Sequence, residues 1–208
     1  MKKIKFILGF VLLFLLFSCG KEIVEVKKDI DSPFFGDKNS DVQVKIYTDF
    51  QCPACISFEG NIGKYLLEEY ALKNKIGITY KMFPLSFHQN AKTDALSALC
   101  SYKQGKYIEF AEKMYQLEGE KKGGDVSFKE RLDVANSIGL NIKDFATCVN
   151  ENNYLNKIKS DISDGENDKI TGTPSIFING TILDLSGIKG KEDFFKIIDN
   201  QISLGKQN

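Results

Sequence analysis

Two cysteines separated by two residues lie in the sequence "DFQCPACISFE", residues 49–59. Such a pair binds zinc, closes a structural turn, or exchanges electrons between a dithiol and a disulfide. A structural zinc site needs four ligands, but the chain has one histidine, His88, and no second Cys-x-x-Cys pair, so neither a metal nor a cofactor is expected. A bridge across so short a loop adds little stability. The pair Cys52 and Cys55 therefore indicates redox chemistry.

The residues around the pair predict how the two sulfurs differ. The run "VQVKIYTDF", residues 42–50, predicts a strand, and Pro53 suits the first position of a helix, where its missing N–H is not needed. Cys52 would then lie at a helix N-terminus, where free N–H groups lower the pKa of a thiol. Cys55 would lie one turn inside the helix, buried and protonated. We expect Cys52 to form the mixed disulfide with substrate and Cys55 to resolve it.

The rest of the chain predicts a strand, a block of helices, a hairpin and a final helix. Residues 76–85 form the second main strand, which a right-handed crossover makes parallel to the first. Residues 90–165 contain no strand-like run and predict helices, with "EGEKKGGD", residues 118–125, as an exposed turn between two of them. Asn179 and Gly180 are typical of a two-residue hairpin turn.

A Thr-Pro pair in "GTPSIFING" directly precedes the first strand of this hairpin. A cis peptide bond before Pro174 would expose the backbone of Thr173, which could then pair with an extended substrate beside the cysteines. A trans proline that merely opens an edge strand is the alternative. The residues alone do not distinguish the cis from the trans form of this peptide bond.

The N-terminus indicates export. The basic start "MKKIKF" is followed by an apolar run, residues 6–17, that is too short to span a bilayer and is typical of a secretory signal. Ser18 and Cys19 at its end resemble the lipobox of bacterial lipoproteins, in which the cysteine is cleaved free and lipid-modified. An ordinary signal with an incidental cysteine and an uncleaved anchor are the alternatives.

Export also bears on charge and on the remaining cysteines. Residues 1–18 carry three of the 28 basic residues and none of the 28 acidic ones, so the mature chain has a net charge of 25 − 28 = −3. It also shows no basic patch, so nucleic acid is not an expected partner.

Without Cys19, four of five cysteines remain in an oxidising compartment. Four cysteines suggest two bridges, with three possible pairings.

Three motifs together, "DFQCPAC", "FPLSFHQNA" and "TGTPSIFING", resemble the DsbA-type thiol–disulfide oxidoreductases. The resemblance covers roughly residues 33–204. It implies an α/β, thioredoxin-like fold: a central mixed sheet flanked by helices, with an inserted all-helical subdomain. The expected divisions are a signal peptide (1–18), a lipidated tether (19–32), two thioredoxin-like parts (33–89 and 166–208) and the helical insertion (90–165).

The resemblance also implies roles for individual residues. It makes Pro174 a cis-proline and places Thr173 and Pro174 in the substrate-binding surface. Some members of the family have a bridge where Cys100 and Cys148 lie, the alternative being two free thiols. His88 is expected away from the disulfide, as a surface or structural residue.

The implied activity is the oxidation of exported cysteine-containing proteins, with a membrane redox partner that resets the disulfide. The expected protein is a monomer, lipid-anchored in the bacterial cell envelope and facing the periplasm or the outside. A reductase or isomerase is the alternative within the enzyme class. A non-catalytic lipoprotein or chaperone that binds extended peptides is the alternative from another class, although such a protein would need neither cysteine.

This sequence departs from the family at two points. Many relatives carry a glutamate six residues before the first cysteine, where this chain has Ile46. Asp49 cannot be assumed to replace it, since strand side chains alternate between faces, and Glu59 is expected to be solvated. The strongest oxidants have Pro-His between the cysteines, whereas this chain has Pro53 and Ala54, and alanine donates no side-chain hydrogen bond to the thiolate.

Overall fold

The computed structural model describes residues 30–122 and 124–206. Its strands are β1 (Phe34–Gly36), β2 (Gln43–Thr48), β3 (Gly77–Met82), β4 (Ser175–Ile178) and β5 (Thr181–Ile182). They form a central mixed sheet of order β1-β3-β2-β4-β5, in which β2 and β3 are parallel, as predicted, and the other neighbours are antiparallel. The predicted signal peptide and Cys19 lie outside the described residues.

A helical segment follows β2 directly and begins at Pro53, as predicted. It comprises α1 (Pro53–Phe58), a π-helical turn (Glu59–Gly63), α2 (Lys64–Leu66) and a second π-helical turn (Leu67–Ala71). We call residues 53–71 the CPAC helix. The π-helical turns widen the helix, and such turns are frequent at functional sites.

Helices occupy the chain between β3 and β4, and one more closes it. They are α3 (Ala91–Lys103), α4 (Tyr107–Lys121), α5 (Phe128–Ser137), α6 (Ile142–Asn150), α7 (Leu155–Asn167) and α8 (Lys191–Gly205). A capping box of Ser127 and Glu130 begins α5. In the hairpin, Asn179 and Gly180 both have positive φ, 48° and 81°, as the predicted turn requires.

The exposed turn predicted at residues 118–125 is wrong in its first half. Helix α4 continues to Lys121, and Glu118 is 0% exposed. The reason is that Glu118 lies beside Asp94, whose Oδ1 is 2.7 Å from Nη2 of the buried Arg131. Charged partners from α3 and α5 thus surround a side chain that the local sequence marks as solvent-exposed.

The two faces of the sheet differ in what covers them. Alternation along β2 directs Ile46 and Thr48 into the main core. Tyr47 points to the other face, into a small cluster with Phe83 and Phe177. The main core also contains Cys55, so Thr48 lies on the same side of the sheet as the buried cysteine.

The CPAC helix lies between the final helix and the insertion. The CPAC helix contacts α8 through the rings of Phe58 and Phe194, 5.9 Å apart, and through the Tyr70 hydroxyl, which donates to Asp199 Oδ1 at 3.0 Å. On the insertion side, a cavity separates part of the CPAC helix from α4. Within residues 30–122 and 124–206, no helix is long and apolar enough to cross a membrane.

Candidate active site

The turn between β2 and the CPAC helix places Cys52 at the helix start. The Cys52 N–H donates to the carbonyl of Asp49 at 3.2 Å, and Pro53 follows at the first helical position. Pro53 and Ala54 are exposed, while Cys55 is fully buried. Both cysteines are free thiols in this structure.

The surroundings of Cys52 stabilise its thiolate and lower its pKa to about 5. The largest contribution is a hydrogen bond from the Cys55 thiol; burial opposes it, and the Thr173 side chain and the N–H groups of Cys55 and Ala54 add to it. The alanine therefore contributes through its backbone only. The predicted role of the helix start as a stabiliser of the thiolate is consistent with these contacts.

The pKa of Cys55 is raised far above its ordinary value. Burial is the main cause, and the hydrogen bond to Cys52 and its negative charge act in the same direction. The nearby hydroxyl groups of Thr173 and Thr48 work against the shift without overcoming it. At neutral pH the pair therefore consists of a Cys52 thiolate and a Cys55 thiol.

The loop before β4 brings Thr173 and Pro174 against the cysteines, as the resemblance implies. The peptide bond between them is cis. The Cys52 sulfur lies 3.1 Å from the carbonyl oxygen of Thr173. The Thr173 hydroxyl oxygen is buried and has no hydrogen-bond partner of its own in the described chain, so it is available to the sulfur.

Asp49 ties the cysteine turn to the loop that follows β3, a role that sequence reasoning missed. Its Oδ1 accepts from the N–H of Gln51 at 2.9 Å, while its Oδ2 accepts from the N–H of Leu85 at 2.9 Å and lies 2.7 Å from His88 Nδ1. Both carboxylate oxygens are thus occupied. His88 is a structural residue of this loop, and its neighbour Phe87 is 77% exposed.

Glu59 is half-buried, and Oε1 of its carboxyl group is inaccessible, so the expectation of a solvated side chain is wrong in part. The residue lies in the first π-helical turn, and its carboxyl packs against Gly63 where any Cβ would collide with it. Burial raises the pKa of Glu59 to about 8. The carboxyl borders the cavity of about 400 Å³ between the CPAC helix and α4. No local signal in the sequence marks this burial, because α4 creates it.

The second pair of cysteines lies in the insertion and is bridged. Cys100 of α3 and Cys148 of α6 form a disulfide with an S–S distance of 1.98 Å. Across residues 30–122 and 124–206, no three His, Cys, Asp or Glu side chains are grouped so as to hold a metal ion.

Comparison with known proteins agrees with this geometry. The sequence model of the family described as Thioredoxin matches residues 28–200. A probable disulfide bond formation protein D from Bacillus cereus is 24% identical over 192 residues, covering 85% of this chain and 87% of the relative.

Solved structures share the fold. Oxidised BdbD from Bacillus subtilis superposes with a TM-score of 0.72 at 17% identity, covering 83% of this chain and 93% of its own. DsbA from Chlamydia trachomatis gives 0.70 at 16% identity, covering 83% and 92%. The chain belongs to the thioredoxin family, as a thiol–disulfide oxidoreductase of the DsbA type.

Proposed function

We propose that this protein is a dithiol oxidase that introduces disulfides into exported cysteine-containing proteins. The observation that carries the proposal is the opposite shift of the two pKa values, which separates a reactive Cys52 from a protonated Cys55. A non-catalytic peptide-binding lipoprotein would need neither shift.

The reaction uses the disulfide form. A substrate thiolate attacks the Cys52 sulfur, the bond between Cys52 and Cys55 breaks, and its electron pair leaves with the Cys55 sulfur, which is then protonated. A second substrate thiolate attacks the substrate sulfur of the mixed disulfide, and Cys52 leaves as a thiolate. The substrate is oxidised by two electrons and the enzyme is reduced. A partner disulfide in the membrane restores the Cys52–Cys55 bond by the reverse exchange.

The substrate is expected to lie beside the loop at Thr173 and Pro174. The Thr173 carbonyl that contacts the Cys52 sulfur is the backbone group that would pair with an extended segment of the substrate. This pairing would align the substrate sulfur with Cys52, while the exposed Pro53 and Ala54 leave the approach open.

The direction of the reaction follows from the stability of the reduced form. A couple is oxidising when its reduced form is stabilised, and here the Cys52 thiolate supplies that stability. A Cys52 pKa of about 5 lies between the values of about 7 for thioredoxin and about 3.5 for DsbA. The Cys52–Cys55 couple should therefore oxidise thioredoxin-like dithiols and be a weaker oxidant than DsbA.

Two measurements test the proposal. The purified disulfide form should oxidise a reduced model protein, and equilibration with glutathione should give a potential above that of thioredoxin, about −270 mV. A potential at or below this value would favour the reductase alternative. Failure to exchange with any dithiol would favour the peptide-binding alternative.

The proposed location is the bacterial cell envelope, through a lipid on Cys19. Its support is the sequence "LFSCG" after the apolar run. Cys19→Ser should release the protein from membranes or leave an unprocessed precursor, as fractionation and immunoblotting would detect. Identical processing of both proteins, without lipid mass on the wild-type N-terminus, would contradict the anchor.

A further inference from the structure

We propose that Asp168 is a positioning residue for substrate binding, which holds the loop carrying Thr173 in place through a hydrogen bond from Tyr47. We call this loop, residues 169–174, the Thr-Pro loop. The proposal rests on the proposed function and adds a residue to it that belongs to none of the motifs around the cysteines. The contact lies on the face of the sheet to which Tyr47 points, opposite the main core.

The contact joins a carboxylate at the end of α7 to two side chains of β2. The Tyr47 hydroxyl donates to Oδ2 of Asp168 at 2.6 Å, and Lys45 Nζ binds the same oxygen. The hydrogen bond from Lys45, followed by that from Tyr47, lowers the pKa of Asp168. Burial and the hydrogen bond to Asp168 raise the pKa of Tyr47, so its hydroxyl remains a donor. Hydrogen bonds to an ionised acceptor of this kind are stronger than those between neutral groups.

Tyr47 contacts both ends of the Thr-Pro loop. Directly after the loop, Ser175 is paired with Tyr47 in the antiparallel ladder of β2 and β4. Directly before it, the backbone N–H groups of residues 168–170 donate to carbonyls of α7, so side chains attach this end to the sheet. Ile170 packs in the same small cluster as Tyr47, and Asp168 supplies the hydrogen bond. The position of the first half of the loop therefore depends on Asp168.

The contact at Asp168 and the contact at the nucleophile are equally spaced along the chain. Tyr47 and Asp168 are 121 positions apart. Cys52 and Thr173 are also 121 positions apart, and the sulfur of the first lies 3.1 Å from the carbonyl oxygen of the second. Two stretches of equal length thus lead from one contact to the other. Because Asp49 fixes the turn before Cys52, a displacement at Asp168 moves Thr173 relative to the sulfur.

Such a displacement should affect peptide substrates more than small thiols. The backbone of Thr173 would pair with an extended substrate, and a hydrogen bond between backbone groups requires a distance of about 2.7–3.2 Å. A misplacement of about 1 Å, caused by a mutation far from the reacting atoms, can lower a rate by about 10²-fold. A small thiol has no backbone to pair with the loop, and it needs only access to the Cys52 sulfur.

The experiment compares two reductants of the purified disulfide form, a peptide with two cysteines and dithiothreitol. Reduction of the Cys52–Cys55 bond is followed by acid quenching, alkylation of the free thiols and mass spectrometry. The measured quantity is the ratio of the rate constant for the peptide to that for dithiothreitol. Asp168→Ala should lower this ratio about tenfold through weaker peptide binding, and it should leave the dithiothreitol rate nearly unchanged.

Two further variants separate the hydrogen bond from the charge. Tyr47→Phe keeps the ring in its cluster and removes the donor, so it should also lower the ratio. Asp168→Asn keeps an oxygen that accepts from Tyr47 and should restore most of the wild-type ratio. Asp164→Ala is the matched control, because it removes another partly exposed carboxylate of α7, 2.7 Å from Lys81 Nζ on the neighbouring strand. It should retain the wild-type ratio.

The possible outcomes distinguish this proposal from the oxidase proposal. Wild-type ratios in folded Asp168→Ala and Tyr47→Phe protein would overturn the positioning role and leave the oxidase proposal intact. An equal loss in Asp164→Ala would also overturn it, since α7 as a whole would then set the ratio. A wild-type disulfide that neither reductant reduces would refute the oxidase proposal and, with it, the role of Asp168.

Discussion

The protein contains two pairs of cysteines that are almost equally buried but differ in their surroundings and in their separation along the chain. Exposure is 7% and 0% for Cys52 and Cys55, and 1% and 9% for Cys100 and Cys148. The first pair lies within a single helical turn, next to a loop from the far end of the chain. The second pair joins two helices whose cysteines are 48 positions apart.

Burial therefore does not decide which sulfurs are reactive. Cys52 is surrounded by donors that are fixed by the backbone: the N–H groups of the helix start, the Cys55 thiol and Thr173. Cys100 and Cys148 lie inside or near the end of regular helices, where backbone N–H groups are already bonded within the helix. The free donors around Cys52 stabilise its thiolate and make it a good leaving group. Cys100 and Cys148 instead crosslink two helices that are distant in the sequence.

Removal of the reactive sulfurs should have the largest effect. Cys55→Ala should accumulate a mixed disulfide with a peptide thiol through Cys52, whereas Cys52→Ala should form almost none, and neither variant should turn over. Mass spectrometry of the trapped species provides the measurement. Better trapping by Cys52→Ala would reverse the assignment of the nucleophile.

Removal of the second pair should affect stability rather than turnover. The double variant Cys100→Ala/Cys148→Ala loses a bridge across 48 positions, worth up to about 4 kcal/mol of unfolding free energy in the chain-entropy model. The loss is smaller if the unfolded state is compact. Urea unfolding and turnover per folded molecule measure the two effects. Lost turnover in fully folded double variant would show that both pairs take part in the redox reaction.

The stability of the reduced protein should depend on pH in a window set by Cys52. Its pKa in the folded state, about 5, lies below the unfolded value of about 8.5, so the thiolate stabilises the folded reduced form. This contribution is complete above pH about 8.5 and is lost as the pH falls to about 5. Cys55 stays protonated in the folded protein and has a pKa of about 8.5 in the unfolded chain, so it removes stability only as the pH approaches and passes that value.

The oxidised protein is the internal reference for this measurement, because its disulfide has no titrating thiol. The difference in unfolding free energy between the reduced and oxidised forms should decrease from pH 8.5 to pH 5. Parallel pH profiles of the two forms would show that the Cys52 pKa is not lowered by folding.

The smallest effect is expected from the dipeptide between the cysteines. Ala54→His should lower the Cys52 pKa further and shift the couple toward stronger oxidation, because an imidazole adds a donor near the thiolate. Thiolate absorbance and equilibration with glutathione measure both quantities. If neither changes, the side chains of the dipeptide do not set the redox potential of the first pair.

The parts of the site that short motifs encode could be predicted from the sequence. A strand that runs into Cys-Pro-x-Cys fixes Cys52 at a helix start, and the Thr-Pro pair marks the loop beside it. The crossover rule also gave the parallel pairing of β2 with β3. The helix start depends on neighbours in the chain, whereas the place of the Thr-Pro loop beside the cysteines, 121 positions away, was what the resemblance to DsbA-type proteins implied.

The environment of Glu59 and Glu118 could not be predicted in this way. Glu59 is half-buried because a π-helical turn and α4, with Tyr107 and Tyr115, enclose part of it. Glu118 is buried because Asp94 and Arg131 approach it from other helices. In both cases the deciding partners are distant in sequence. A charged residue in a polar stretch carries no local sign of them.

The carboxylate of Asp49 has a mechanical consequence. The Asp49 side chain is hydrogen-bonded to the N–H of Leu85 and to His88, which connects their loop to the turn that leads into Cys52. The Gln51 side chain adds a second connection by accepting from the N–H of Asn90 at 2.6 Å. The exposed Phe87 is carried on this loop. A protein that binds Phe87 therefore contacts a loop that is hydrogen-bonded to the turn holding Cys52.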